Sequence, residues 1–330
     1  MHFMKYLAGR LLSWFLVIYI GVTFMFFIPR FFPADPVEGM IGNMLTKTSI
    51  PADQVESMRQ VLRVQYGLDG TLWEQYVSFL QRAVRFDFGP SLMNFPASAA
   101  GIVARFLPYT IGLMLFTTLT SWILGNLIGM MAGFRKDNRA SKLLESIAIF
   151  LYPIPYFILA LVVQIAFCYI LRWLPITASI IQNQGPARYL ETLFRSSLLP
   201  AITMILVGFG WWVISMKAMA QNTAEEEYVR YARYRGIKES RIARNYVFRN
   251  SIIPQVSGLA ISLGGVFGGA LMTEIIFQYP GVGHLIQQAI TQADYNMIMA
   301  TVSISIVAIS TATLVADLIY PLIDPRIRYQ

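Results

Sequence analysis

Few residues in this chain could do covalent chemistry. No Gly-Lys dipeptide occurs, which excludes a phosphate-binding G-x-x-x-x-G-K-[ST] loop. Two histidines, His2 and His284, cannot build an H-E-x-x-H zinc helix, and no G-x-S-x-G nucleophile elbow is present. The lone cysteine, Cys168, sits inside an apolar run and reads as a small buried hydrophobe. Asp35, Glu38 and Asp87 read as solvated loop acids, and His284, in Pro-Gly-Val-Gly-His, as a loop residue. Glu274 and Asp317 bound apolar runs, and acids within the membrane are what a proton-coupled carrier would want. Both are nearer an interface than a midplane, and no metal site is expected.

Charge is instead concentrated in one polar stretch, KAMAQNTAEEEYVRYARYRGIKESRIARNYVFRNSIIP, residues 217–254. Glu225, Glu226 and Glu227 precede a basic amphipathic segment, the polarity that suits a helix dipole. Gly236 is placed to stop that helix, and a second polar helix, over about 238–249, follows. Residues 225–249 carry seven Lys/Arg and four Glu, a net +3. A positive anchor on anionic lipid would have this composition. The paired helices with an internal glycine suit a protruding element that a partner could grip.

The elements that must hold this stretch are read from where charge is missing. Of 330 residues, 56% are hydrophobic and 13% charged, about half the charge of an average soluble domain. Six uncharged runs, 11–29, 106–134, 146–171, 196–216, 250–273 and 295–316, approach or exceed the ~20 residues a helix needs to cross a bilayer. They are continuous and not alternating, which disfavours a β-barrel. The first run reads as an uncleaved anchor, since PRFFPADP offers no small-residue cleavage site. The expected fold is an all-α integral membrane protein of six transmembrane helices. Sixteen of the 26 basic residues fall on the side shared by both termini, so the termini are expected to be cytoplasmic. The net charge of +8 then flanks membrane spans, and nucleic acid is not the expected partner.

Three parts follow: 1–30, the N-terminus and first span; 31–105, an extracytoplasmic helical segment; and 106–330, five further spans including the polar loop 221–250. In the outer segment Pro51 opens a helix over ADQVESMRQVLRVQ. Asp69-Gly70 makes a turn, and Thr71-x-x-Glu74 has capping-box spacing. Trp73, Tyr76, Val77, Leu80 and Val84 fall on one helical face. In the membrane, Pro153 and Pro155 predict a kink. Gly264/Gly268 and Gly265/Gly269 form small-xxx-small pairs, candidates for close helix packing or a gate.

These residues resemble the permease subunits of ABC importers, in the dipeptide/oligopeptide/nickel branch. Glu227-Tyr228-Val229-Arg230-Tyr231-Ala232-Arg233-Tyr234-Arg235-Gly236 is similar to that branch's coupling loop, acid-Tyr-Val-Arg-x-Ala-Arg-x-x-Gly, continued by Arg249-Asn250-Ser251-Ile252-Ile253-Pro254. Of the general Glu-Ala-Ala-x-x-x-Gly motif only Ala232 and Gly236 remain. Pro33-Ala34-Asp35-Pro36, Tyr66-Gly67-Leu68-Asp69, Leu72-Trp73-Glu74-Gln75-Tyr76, Phe86 to Leu92, Phe277 to Gly283 and Asp324-Pro325-Arg326-Ile327-Arg328 fit in order. Together they resemble the first of the branch's two permeases over nearly the whole chain.

The resemblance implies a non-catalytic subunit in a prokaryotic inner membrane. Its partners would be a second homologous permease, two cytoplasmic ATPases carrying ATP and Mg, and an extracytoplasmic binding protein. It implies that Glu227, Tyr228, Val229, Arg230, Ala232, Arg233 and Gly236 couple to an ATPase, with no cofactor in this chain. Peptides are the expected cargo, with oligosaccharides or nickel as alternatives. A stand-alone ion-coupled carrier would be expected to show inverted repeats, and an intramembrane enzyme a nucleophile–base pair; neither is evident.

Overall fold

The computed structural model describes residues 2–31, 36–47, 51–65, 67–91, 94–134, 139–175, 186–266 and 271–323. Among them no strand forms, only an isolated bridge between Pro90 and Ser98. The helices are α1 (His2–Phe27), α2 (Pro36–Lys47), α3 (Ala52–Gln65), α4 (Leu72–Ala83), α5 (Ala99–Phe134), α6 (Arg139–Leu151), α7 (Tyr156–Gln164), α8 (Pro186–Glu225), α9 (Glu227–Tyr234), α10 (Glu239–Ile242), α11 (Arg249–Gly265), α12 (Leu271–Ile276), α13 (Val282–Thr291) and α14 (Tyr295–Ile323).

Four stretches, in α1, α5, α8 and α14, are long and apolar enough to cross a bilayer. The third expected span is a broken pair: Ser141–Leu151 and Tyr156–Ile170 meet at 106°. The kink expected from Pro153 and Pro155 is therefore a sharp corner, because neither proline can donate a helical hydrogen bond. The fifth expected span is divided between α11 and α12, with 267–270 outside the described residues. An integral, all-helical membrane protein is what these elements support.

Two compact units divide the chain. The first comprises 8–110 and 280–311. Its core is built from Phe88, Ala99, Val103, Leu285, Ala289 and Met297. Helix α3 covers the segment expected from the sequence, and α4 begins with a complete capping box between Thr71 and Glu74. Helix α2 was not anticipated; its Val37 and Ile41 close a small cluster with Leu62 of α3. On α4 only the middle of the expected face is buried. Tyr76 meets Phe26 at a ring distance of 5.2 Å, whereas Trp73 is 70% exposed.

The Asp87–Ser91 motif is a clamp within this unit. Gly89 sits at φ +83°, and its amide donates to Asp87 Oδ1 at 3.0 Å. Partial burial pushes the Asp87 carboxyl up, but the Arg82 guanidinium and that amide hold it below its ordinary value. Ser91 donates to buried Asp294 at 2.7 Å, and Asp294 accepts from the Met297 amide at 3.0 Å, capping α14.

The second unit comprises 1–7, 111–279 and 312–330. Helices α5 and α8 approach through Gly125, Gly129 and Gly133. A Cβ at Gly129 would lie 2.5 Å from the Val213 carbonyl oxygen, and one at Gly133 2.7 Å from that of Lys217. A Cβ on Gly210 of α8 would lie 2.9 Å from the Ala148 carbonyl oxygen of α6, and Lys217 pairs with Glu145. Helix α7 is joined to α12 by Gln164 Nε2 donating to Ile276 O at 2.8 Å.

Candidate functional site

The polar stretch 217–254 folds as a projection of the second unit. Helix α8 has 40 residues, about 60 Å at 1.5 Å per residue, twice a ~30 Å bilayer core. It ends at Glu226, whose extended backbone (φ −63°, ψ 146°) breaks the helix and starts α9, two turns long. Three glutamates at this point face the positive end of α9.

Helix α9 has two opposed faces. Val229 and Ala232, three residues apart, are buried in a cluster with Met130, Met216, Ala220, Ile242 and Val247. Glu227, Arg230, Tyr231, Tyr234 and Arg235 point outward, with Tyr231 65% and Tyr234 84% exposed. Val229 is wholly buried, so the short helix is held by packing and not by intrinsic propensity, which is marginal at this length.

The stop at Gly236 is a Schellman motif. The Ile237 amide donates to Ala232 O at 3.2 Å and the Gly236 amide to Arg233 O at 2.9 Å. Gly236 takes φ +69°, yet a Cβ there would meet nothing within 4 Å. Glycine is favoured by the left-handed backbone, not by lack of space. Ile237 packs against the cluster that holds Ala232, the hydrophobic contact usual for this cap.

Two other sequence-selected residues are engaged within the chain. Arg233 pairs with Glu239 at 3.1 Å and lies 5.9 Å from the Phe134 ring centroid. The Tyr228 hydroxyl accepts from Asn250 Nδ2 at 3.1 Å. Burial, with Glu226 adding to it, pushes the Tyr228 phenol above its ordinary value, so it stays neutral. The expected second polar helix is continuous with the membrane helix: α10 runs through a π-helical turn, Ala243–Phe248, into α11.

The glycines singled out in the fifth run behave differently from those of α5. A Cβ on Gly264 would lie 3.4 Å from Thr313 Oγ1, and Gly265 faces open space; Gly268 and Gly269 lie outside the described residues. The tight contacts of Gly125, Gly129 and Gly133 were carried by the same small-xxx-small spacing, GNLIGMMAG, which could have marked them. Among the described residues no group of acids, histidines and cysteine could hold a metal.

Residues 125–329, which include α9, its glycine stop and α11, match the family model described as binding-protein-dependent transport system inner membrane component. The chain belongs to this family. It is 27% identical over 325 residues to a putative peptide permease protein of Brucella ovis, covering 98% of this chain and 99% of that protein. It is 26% identical over 327 residues to the glutathione transport system permease protein GsiC of Escherichia coli K12, covering 99% and 100%. A probable peptide ABC transporter permease of Sinorhizobium fredii is 27% identical over 324 residues, covering 98% and 99%. The chain is thus an ABC-importer permease, similar end to end to members of the peptide branch.

Proposed function

We propose that this permease forms, with a second homologous permease, the pathway for ATP-driven uptake of short peptides handed over by an extracytoplasmic binding protein. Helix α9 is the element a cytoplasmic ATPase grips. What carries this reading is the construction of α9: two turns, isolated between the Glu226 break and the Gly236 stop, anchored by Val229 and Ala232 and presenting Tyr231, Tyr234, Arg230 and Arg235 outward. An exposed aromatic and arginine face suits a protein partner better than lipid. The chain itself makes no bond; nucleotide chemistry belongs to the partner ATPases.

Six crossings with both termini cytoplasmic place α9 on the ATPase side. In this arrangement the α6–α7 corner counts as one crossing, and α11 with α12 as another. Peptide cargo follows from the names of relatives that align along their whole length. A different cargo class, oligosaccharide or nickel, would use the same α9.

The test is reconstitution of the four-subunit complex in vesicles with its binding protein and a mixture of di- to pentapeptides. Wild type should accumulate peptides on ATP addition. Gly236→Arg should keep ATP hydrolysis and assembly but lose most of the uptake, because a residue with a Cβ disfavours the left-handed backbone that ends α9. Undiminished uptake would sink the role of α9. Accumulation of oligosaccharides with no peptide would sink the cargo.

A further inference from the structure

The side chains joining α8 to α11 form an ordered series on one face of α11. Ser251, Gln255 and Gly258 are spaced four and three residues apart, a single helical stripe. Ser251 Oγ donates to Thr223 Oγ1 at 3.0 Å, Gln255 Nε2 to Ser215 Oγ at 2.8 Å, and Gly258 lies against the Trp212 ring, which its Cβ would approach to 3.1 Å. The partners on α8 run backward as α11 runs forward, so the two helices are zipped antiparallel. The Gln255 backbone carbonyl also binds α5, accepting from Trp122 Nε1 at 2.9 Å.

One rung differs from the rest because it reaches α9. Asn250 Nδ2 donates to Tyr246 O at 2.7 Å and to the Tyr228 hydroxyl at 3.1 Å. A carbonyl can only accept, so the amide orientation is set by chemistry, and both N–H groups are used. Tyr246 lies in the π-helical turn between α10 and α11, where backbone hydrogen bonding is out of the usual register. Asn250 therefore ties the π turn, α11 and α9 at one point. The remaining holds on α9 are apolar packing, which resists separation but has little directional preference, and the exposed Arg233–Glu239 pair to α10. The Asn250–Tyr228 bond is the directional tie from α9 to α11.

We infer that Asn250 and Tyr228 are positioning residues for energy coupling, a joint that fixes the angle of α9 so that displacement of α9 moves α8 and α11 as one body. The inference rests on the role proposed above for α9. The Ser251–Thr223 and Gln255–Ser215 bonds carry that displacement into the membrane part. Without the joint, α9 can be pushed by the ATPase and rock on its apolar seat, and the stroke is partly lost.

The joint predicts a change in efficiency rather than in assembly. In the reconstituted complex supplied with the di- to pentapeptide mixture, ATP hydrolysed per peptide accumulated should rise about two- to tenfold in Asn250→Ala, the factor expected for one neutral hydrogen bond. Tyr228→Phe, which removes a single partly exposed hydroxyl and leaves the packing intact, should do the same. The double variant should be no worse than either single one, because both break the same bond. Asn245→Ala, on the exposed side of the same π turn, should leave the ratio unchanged. A merely structural role would lower complex yield and thermal midpoint while leaving the ratio alone, and that result overturns the joint. Equal ratios in Tyr228→Phe and wild type overturn it also. If Gly236→Arg uncouples while Asn250→Ala and Tyr228→Phe do not, only the joint fails. If none of the three uncouples, the role of α9 fails with it.

Discussion

Gly236 stops α9 through backbone conformation alone. Its φ of +69° lies in the left-handed region, and the space around it is open. An L-residue there costs roughly 1–2 kcal/mol, and asparagine less, because its short polar side chain tolerates that region. Gly236→Ala should therefore increase amide exchange over residues 232–237 about five- to thirtyfold, and Gly236→Asn by clearly less. Equal exchange in Gly236→Ala and wild type would show that the Schellman bonds do not depend on glycine. The position was legible as a helix stop in the sequence. Its reason was not, because whether a Cβ would clash depends on surroundings that only the fold supplies, and here a Cβ would meet nothing within 4 Å.

At the scale of elements, the α5–α8 contact sets how the projection is held. Three glycines at four-residue spacing bring two helices together so closely that a Cβ on any of them would lie under 3 Å from a facing carbonyl oxygen. Gly129→Val inserts a branched side chain against the Val213 carbonyl, and overpacking of this kind costs about 1–3 kcal/mol. The thermal midpoint of the detergent-solubilised complex should fall by several degrees. Gly265→Ala meets nothing within 4 Å; it should be neutral or slightly stabilising, since alanine is the better helix former. A destabilised Gly265→Ala with a tolerant Gly129 would reverse the assignment. Both glycine pairs satisfy the same sequence pattern. Which pair faces a neighbour depends on helix rotation, and a helix that is apolar all round gives no moment from which to read it.

For the whole molecule, the corner between α6 and α7 decides sidedness. If the pair crosses, residues 73 and 234 are separated by three crossings and lie on opposite faces; if it re-enters, they share one. Trp73 and Tyr234 are both well exposed, so single cysteines introduced there, in a chain carrying Cys168→Ala, are accessible probes. Trp73→Cys should react with an impermeant maleimide only from outside, and Tyr234→Cys only after permeabilisation. Labelling of both from outside would remove the α6–α7 crossing and with it the cytoplasmic position of α9. The lone Cys168 is buried, so it should label poorly even when retained.

Composition and the charge-free runs determined by themselves that this is a helical membrane protein, because a bilayer leaves a chain no other way to satisfy its backbone over continuous apolar runs. Local rules also reached α3, the Thr71–Glu74 capping box, the helix over 227–234 and its stop at Gly236, since each rests on residues within one or two turns. The family was legible for the same reason, its motif being contiguous. The tertiary structure decided what depends on residues far apart in the chain: that Arg233 pairs with Glu239, that Asn250 holds Tyr228, that Ser91 holds the acid capping α14, and that the glycines of α5 are the ones in backbone contact. Those pairings are set by helix rotation and approach in a folded core, where packing selects one arrangement among many that the apolar pattern alone would allow.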